Sequence, residues 1–106
     1  MSVTAKYPTV LDVTLAINGY KNPELLRQCL QRIQTVMQRS TIQYELLACD
    51  SATEDATRIL MNQEFPEVRF FPFVENVGFK RLVNTALLEA KGKYVFLMNS
   101  DVLLTE

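Results

Sequence analysis

Four short apolar runs alternate with three longer segments whose apolar residues recur every three or four positions, and this alternation restricts the fold more than any other feature of the chain. The runs are Val10 to Ile17, Tyr44 to Cys49, Val68 to Val74 and Tyr94 to Met98. At this length, bounded by turn residues, they read as buried strands, because a helix needs about ten residues or more. The first intervening segment opens with Asn22, a good N-cap, and with Pro23 at the first helical position. Leu25, Leu26, Cys29, Leu30, Ile33, Val36 and Met37 then form its apolar face. The second starts at Thr53-Glu54-Asp55, runs through Ile59 and Leu60 toward Phe65, and is broken by Pro66. The third is marked by Leu82, Val83, Ala86, Leu87 and Ala90, with Gly92 as its stop. Pro72 inside the third run points to an edge or strand-end position, because proline cannot donate to a sheet ladder.

The resulting order, β-α-β-α-β-α-β, predicts an α/β, Rossmann-like fold. Its sheet is mainly parallel, with right-handed crossovers and helices on its faces. With 106 residues the chain forms one domain or a piece of one, and a 48% hydrophobic, 22% charged composition suits a packed globular unit. In such sheets ligands bind beyond the carboxyl ends of the strands. The polar residues gather at those ends: Asn18-Gly19-Tyr20 as the exit turn of the first strand, Asp50, Glu75-Asn76, and Asn99-Ser100-Asp101.

What the chain lacks narrows its chemistry. It has no histidine, and its two cysteines, Cys29 and Cys49, are not at a metal-binding spacing and sit within apolar segments. Imidazole catalysis and His-ligated zinc are excluded, leaving carboxylates, hydroxyls, lysines and hard metal ions. Eleven basic against twelve acidic residues, with no basic block, argue against nucleic acid as a partner. No apolar stretch approaches the roughly 20 residues of a membrane span. The N-terminus carries no signal-peptide pattern, so a cytoplasmic location is expected.

Several segments, taken in order, resemble the nucleotide-sugar-binding half of family 2 glycosyltransferases of the GT-A fold. They are Tyr20 to Leu26, Asp50 to Thr57, Glu75 to Phe79, Asn84, Ala90 to Tyr94 and Leu97 to Asp101. The ending Asn99-Ser100-Asp101 is most similar to the rhamnosyltransferase-like branch. The resemblance implies that Tyr20 lines the base pocket, where its ring can stack on a pyrimidine. It also implies that Asp50 accepts the imide N–H of the base, a role suited to an ionised carboxylate. Asp55 matches the second acid of the family's Asp-x-x-Ser-x-Asp pattern, although an acid near a helix start also offsets the macrodipole. Asn76 and Gly78 match the Asn-x-Gly loop, whose glycine permits a tight turn close to the ligand. Lys80 and Arg81 follow that loop and can meet a diphosphate or form a solvated helix face. Asp101 matches the last acid of the Asp-x-Asp motif, which holds Mn²⁺ or Mg²⁺ across the two phosphates, and Asn99 stands at the first acid of that motif.

The resemblance thus implies a nucleotide-diphosphate sugar of UDP or dTDP type as partner. It also implies sugar transfer to an acceptor hydroxyl by the intact parent. Departures from the family pattern are Gly19 in place of Thr or Ser, Ala56 in place of Gly, and Val83 in place of the Arg that often precedes the Asn matched by Asn84. In the family the acceptor site and the general base follow the Asp-x-Asp motif, and here the sequence runs five residues past Asp101. The expectation is therefore a domain truncated after this motif and catalytically silent alone, associating as a homodimer through surface left uncovered near Val102-Leu103-Leu104. A non-catalytic nucleotide-binding or interaction module is the alternative. A signalling receiver fails on motif order, since Asp50 follows the second strand, and a dinucleotide-binding turn fails for want of G-x-G-x-x-G.

Overall fold

In a computed structural model, residues 11–100 are described. Strand β1 spans Val13–Tyr20, helix α1 Pro23–Met37, β2 Tyr44–Ser51, α2 Asp55–Glu64, β3 Arg69–Pro72, α3 Gly78–Glu89 and β4 Tyr94–Asn99. All strand pairs are parallel, in the order β3-β2-β1-β4. The alternating α/β architecture is the one the sequence predicts, and β3, with Pro72 as its last residue, is an edge strand. Among the described residues no helix is long and apolar enough to cross a membrane.

Side-chain alternation along the strands divides the interior in two. Leu15, Ile17, Leu46 and Ala48 face α1 and α2, packing with Leu26, Cys29, Leu30, Ile33, Met61 and Phe65. Ala16, Leu47 and Cys49 face α3, where Leu82 and Ala86 close on them. Leu30 and Ile33 are fully buried, each stabilising the fold by about 1.5–3 kcal/mol. Helix α1 starts where its sequence signals place it: the Asn22 side chain accepts from the Leu25 N–H at 3.1 Å, and Pro23 occupies the first turn.

Local signals misplace four details. Strand β1 begins at Val13 and continues through Asn18 and Gly19 to Tyr20, because β2 pairs with it over all eight positions. Asn18 and Gly19 are therefore strand and not turn. Strand β3 is shorter than the run from Val68 to Val74. Helix α2 has Glu54 at its N-cap, since Thr53 Oγ1 is engaged elsewhere, donating to the Asp50 carbonyl at 2.9 Å. Helix α3 ends at Glu89 without a left-handed glycine, and among the described glycines only Gly78 has positive φ. Gly92 serves a different need, as its backbone lies against β1 and a Cβ there would stand 2.6 Å from Thr14 N and from Val13 C.

That contact belongs to a network closing the N-terminal edge of the sheet. Glu45, on β2, accepts from Thr14 Oγ1 at 2.6 Å, from the Lys91 N–H at 2.7 Å and from Arg69 Nη1 at 3.1 Å. Arg69 continues to Glu89 Oε1 at 3.0 Å, and the Gly92 N–H donates to Thr14 Oγ1 at 2.9 Å. Burial pushes the Glu45 carboxyl up, but the hydrogen bonds from Thr14, Lys91 and Arg69 outweigh it and hold the group below its ordinary range.

Candidate functional site

At the opposite, C-terminal edge the strands end in polar residues at matched levels. Asn18 is in register with Cys49 of β2 and Asn99 of β4, Gly19 with Asp50, and Tyr20 with Ser51. Both inner strands then turn through a left-handed residue, Lys21 at φ 51° and Ala52 at φ 51°. Neither is glycine, so each turn stores strain of roughly 1–2 kcal/mol, a pattern frequent where a strand end is shaped for function.

The turn after β2 is tied to the segment leading into α3. The Ala52 N–H donates to the Glu75 carbonyl at 3.0 Å, and the Thr53 N–H to the Phe73 carbonyl at 2.8 Å. Ser51 Oγ donates to Asn76 Oδ1 at 3.1 Å and accepts from the Val77 N–H at 2.9 Å, while Asn76 Oδ1 also accepts from the Gly78 N–H at 3.2 Å. These bonds fix where α3 begins. Gly78 has φ 81° and no atom within 4 Å of where its Cβ would be, so its backbone angle and not crowding requires glycine, and the space beside it is open. Helix α3 has no side-chain cap and no acidic residue in its first turn, which carries Lys80 and Arg81 instead. Cations there oppose the helix dipole, an arrangement an anion would relieve.

Between the strand ends and the start of α3 lies an open cleft of about 500 Å³. Tyr20, Asn76, Gly78 and Asn99 line it, together with Asn18, Gly19, Leu25, Ser51, Phe79, Leu82 and Ser100. Tyr20 stands half-exposed at the rim, with the Lys21 ammonium 5.5 Å from its ring centre. Asp50 is buried beside Gly19, so close that a Cβ on Gly19 would collide with Asp50 Oδ1. A side chain at position 19 thus has no room in this arrangement. Lys80 and Arg81 are exposed and do not line the cleft, and the Arg81 guanidinium sits 5.5 Å from the Phe73 ring centre. Asp55 is exposed in the first turn of α2 and does not line it either. Asp101 and the Val102-Leu103-Leu104 segment lie outside the described residues; the preceding residue is held by a 2.9 Å bond from the Ser100 N–H to the Asn18 carbonyl.

Sequence reasoning did not single out Ser51 as the link to α3, and it placed Asn18 at the ligand-binding strand ends only as part of an exit turn. A usable signal for Asn18 exists: it follows Thr14 and Ala16 on the face that alternation turns inward, where an amide is out of place.

The polar groups of the two sheet edges differ sharply. The N-terminal network satisfies its buried members. Near the cleft, both side-chain atoms of Asn18 and Asp50 Oδ2 are buried with no hydrogen-bond partner. Native structures leave few such groups, each costing about 1–3 kcal/mol. Burial pushes the Asp50 carboxyl above its ordinary range, Glu54 adds to the rise, and Thr53 and Arg58 oppose it only in part. A carboxyl raised in the folded state binds its proton more tightly there than in the unfolded chain. Stability is therefore greatest below the ordinary pKa and falls as pH rises through the folded value. Asp50→Asn is expected to remove that component, so that its stability relative to wild type improves from pH 3.5 to pH 7. Urea unfolding at both pH values measures this, and parallel pH profiles for the two proteins would contradict it.

Metal chemistry is constrained by the donor set. Among the described residues no group of three or more His, Cys, Asp or Glu side chains could cage an ion. Asn99 brings one hard oxygen to the cleft, so a divalent ion there needs further oxygen ligands from beyond the described residues or from a bound anion.

Comparison with known proteins was informative at the family and fold levels. The sequence profile of Glycosyl transferase family 2 matches residues 14–106. Among solved structures, the chain is similar to the mannosyltransferase PcManGT from Pyrobaculum calidifontis in complex with GDP-Man and Mn²⁺. That match has 22% identity and a TM-score of 0.76 over 96% of this chain and 33% of that one. It is also similar to S. aureus TarS 1-349, at 16% identity and a TM-score of 0.71 over 88% and 28% of the two chains. The same protein in complex with UDP aligns at 18% identity and a TM-score of 0.67 over 86% and 28%. The chain therefore spans about a third of the length of these structures or less. The comparison with curated proteins returned no match.

Proposed function

The chain belongs to glycosyl transferase family 2, and from that premise we propose that its C-terminal cleft binds a nucleotide-diphosphate sugar together with Mn²⁺ or Mg²⁺. The observation that carries this reading is the Asn18 side chain, which lines the cleft with both of its polar atoms buried and unpaired, while the network at the other end of the sheet is fully bonded. A bound ligand is one way such a group is completed. Solved relatives of the same fold hold GDP-Man with Mn²⁺ and UDP, which supports a nucleotide in this cleft.

In this reading the exposed ring of Tyr20 stacks on the base. Asp50, buried beside Gly19 and outside the cleft lining, would accept the base imide N–H at Oδ2, the one carboxylate oxygen that is buried without a partner. Asn76 and Gly78 leave room for the donor beside the start of α3. Lys80 and Arg81, in the first turn, add positive potential toward the diphosphate. For Asp55, offsetting the α2 dipole is the role its position supports. Asp101 and Asn99 hold the metal, which supplies charge neutralisation for the departing diphosphate. The Asn99-Ser100-Asp101 ending supports placement in the rhamnosyltransferase-like branch, with UDP- or dTDP-type donors.

The proposed reaction of the whole enzyme is transfer of the sugar to an acceptor hydroxyl. No carboxylate among the described residues lines the cleft, so these residues bind the donor without deprotonating an acceptor. That same observation favours, as second reading, a module that binds nucleotide without turnover. Calorimetric titration of the chain with UDP, dTDP and GDP, with and without Mn²⁺, tests the proposal. Metal-dependent binding of at least one nucleotide is expected, and no binding of any of them would contradict it. Detectable sugar transfer by the purified chain would rule out the second reading.

Strand β4 also presents Tyr94, Phe96 and Leu97 to solvent at the end of the sheet order, and this apolar surface supports self-association as a homodimer. Light scattering at about 10 mg/ml is expected to give a mass above that of one chain. A strictly monomeric mass would contradict it.

A further inference from the structure

Ser51 closes β2 with a hydroxyl whose hydrogen bonds run to the residues leading into α3, 25 positions further along the chain. It is 2% exposed and belongs to the lining of the cleft. Its one proton goes to Asn76 Oδ1 at 3.1 Å, the Glu75 carbonyl being the longer alternative at 3.5 Å, and its oxygen accepts from the Val77 N–H at 2.9 Å. We propose that Ser51 is a positioning residue for the donor: by holding Asn76 Oδ1 it presents the Asn76 Nδ2 amide to the cleft, where Nδ2 donates to an oxygen of the bound nucleotide. This inference rests on the cleft being a nucleotide site.

The orientation of the Asn76 amide is decided by its partners. Oδ1 accepts from Ser51 Oγ and from the Gly78 N–H at 3.2 Å, which fills both of its lone pairs. A flipped amide would set Nδ2 against the Gly78 N–H, donor against donor, so only one orientation satisfies the turn. Nδ2 takes no part in this clamp, and Asn76 is exposed and lines the cleft. What the side chain offers a ligand is therefore a donor and not an acceptor. A hard metal ion finds no free oxygen there, whereas a phosphate or carbonyl oxygen is matched. Without the Ser51 hydroxyl, Asn76 Oδ1 keeps one bond of two and the amide can swing away from the cleft. The backbone of the same turn has its own tie, the 3.0 Å bond from the Ala52 N–H to the Glu75 carbonyl, which does not depend on the hydroxyl. Ser51 thus orients a side chain at a turn that the main chain already holds.

Calorimetry in Mg²⁺, with whichever of UDP, dTDP and GDP binds the wild type, tests this on Ser51→Ala, Asn76→Ala and the double variant. Each single variant is expected to bind about fivefold to tenfold more weakly. The double variant is expected to be no weaker than Asn76→Ala, because the hydroxyl acts only through the amide. Losses that multiply in the double variant, or wild-type affinity in Ser51→Ala, would overturn the inference and leave the nucleotide site standing. The Asn76 side-chain amide signals in heteronuclear NMR spectra give a readout that a loss of stability alone would not move. They are expected to shift on nucleotide binding in the wild type and to stay in place in Ser51→Ala, and signals unmoved in the wild type would overturn the inference. Asn76→Asp keeps the two acceptor roles and removes the donor, so at least a tenfold loss of affinity is expected. Wild-type affinity in Asn76→Asp would overturn the inference even if Ser51→Ala failed to fold. Absence of any nucleotide binding by the wild type would overturn the site itself, and the inference with it.

Discussion

Gly92→Ala is expected to be more damaging than Gly78→Ala, lowering stability by about 2–3 kcal/mol. The added Cβ would stand 2.6 Å from Thr14 N and Val13 C and 2.9 Å from Thr14 Oγ1. Two of those atoms are backbone of β1, the strand that pairs with both β2 and β4, so relief requires moving the centre of the sheet. The same shift breaks the 2.9 Å bond from the Gly92 N–H to Thr14 Oγ1 and loosens Thr14 from Glu45. Gly78→Ala provides the contrast. Its Cβ would meet nothing within 4 Å, and only the cost of a left-handed alanine, about 1–2 kcal/mol, applies. Urea unfolding of both variants measures the order, and a Gly92→Ala protein as stable as wild type would contradict the close strand contact.

Asp101→Ala is expected to weaken metal-dependent nucleotide binding by about 10- to 100-fold. The chain carries a formal net charge of −1, and neither Lys80 nor Arg81 lines the cleft. A diphosphate entering there finds no lysine or arginine in the cleft lining to pair with directly, so the longer-range potential of Lys80 and Arg81 leaves repulsion that a divalent ion has to offset. With Asn99 neutral, Asp101 is the one carboxylate of the proposed pair of ligands. Two consequences can be measured separately. Mn²⁺ alone should bind the wild type weakly, because the donor supplies the missing oxygens. Nucleotide affinity without metal should be the same in wild type and variant. An Asp101→Ala protein that keeps full Mn²⁺-dependent affinity would remove Asp101 from the proposed metal site.

What the sequence made legible follows the range of the forces involved. Element order could be read from periodicity, and the start of α1 from Asn22 and Pro23, because a cap and a first-turn proline act within a few residues. The gathering of Tyr20, Asn76 and Asn99 at one cleft followed from strand-end topology, a rule of parallel sheets and not of single residues. The misplacements all involve distant partners. Asn18 and Gly19 look like a turn, yet continuous pairing with β2 keeps them in strand. Gly92 looks like a helix stop, yet a strand nearly 80 residues earlier dictates it. The Glu45 bonds to Arg69 and Thr14 span 24 and 31 residues and leave no local trace. Asp55, Lys80 and Arg81 illustrate the reverse case. Their motif positions are recognisable, while the direction a helix's first turn faces depends on how the helix docks.

The central claim is that the two edges of the sheet divide structure from function, with the nucleotide at the C-terminal one. Backbone amide NMR during titration with UDP and Mg²⁺ tests it most directly, since Mg²⁺ does not broaden the signals as Mn²⁺ would. The largest shifts are predicted at Gly19, Tyr20, Ser51, Asn76, Gly78, Phe79 and Ser100, with Thr14, Glu45, Arg69, Lys91 and Gly92 unmoved. Shifts centred on the Glu45 and Arg69 network, or no shifts at saturating nucleotide, would contradict it.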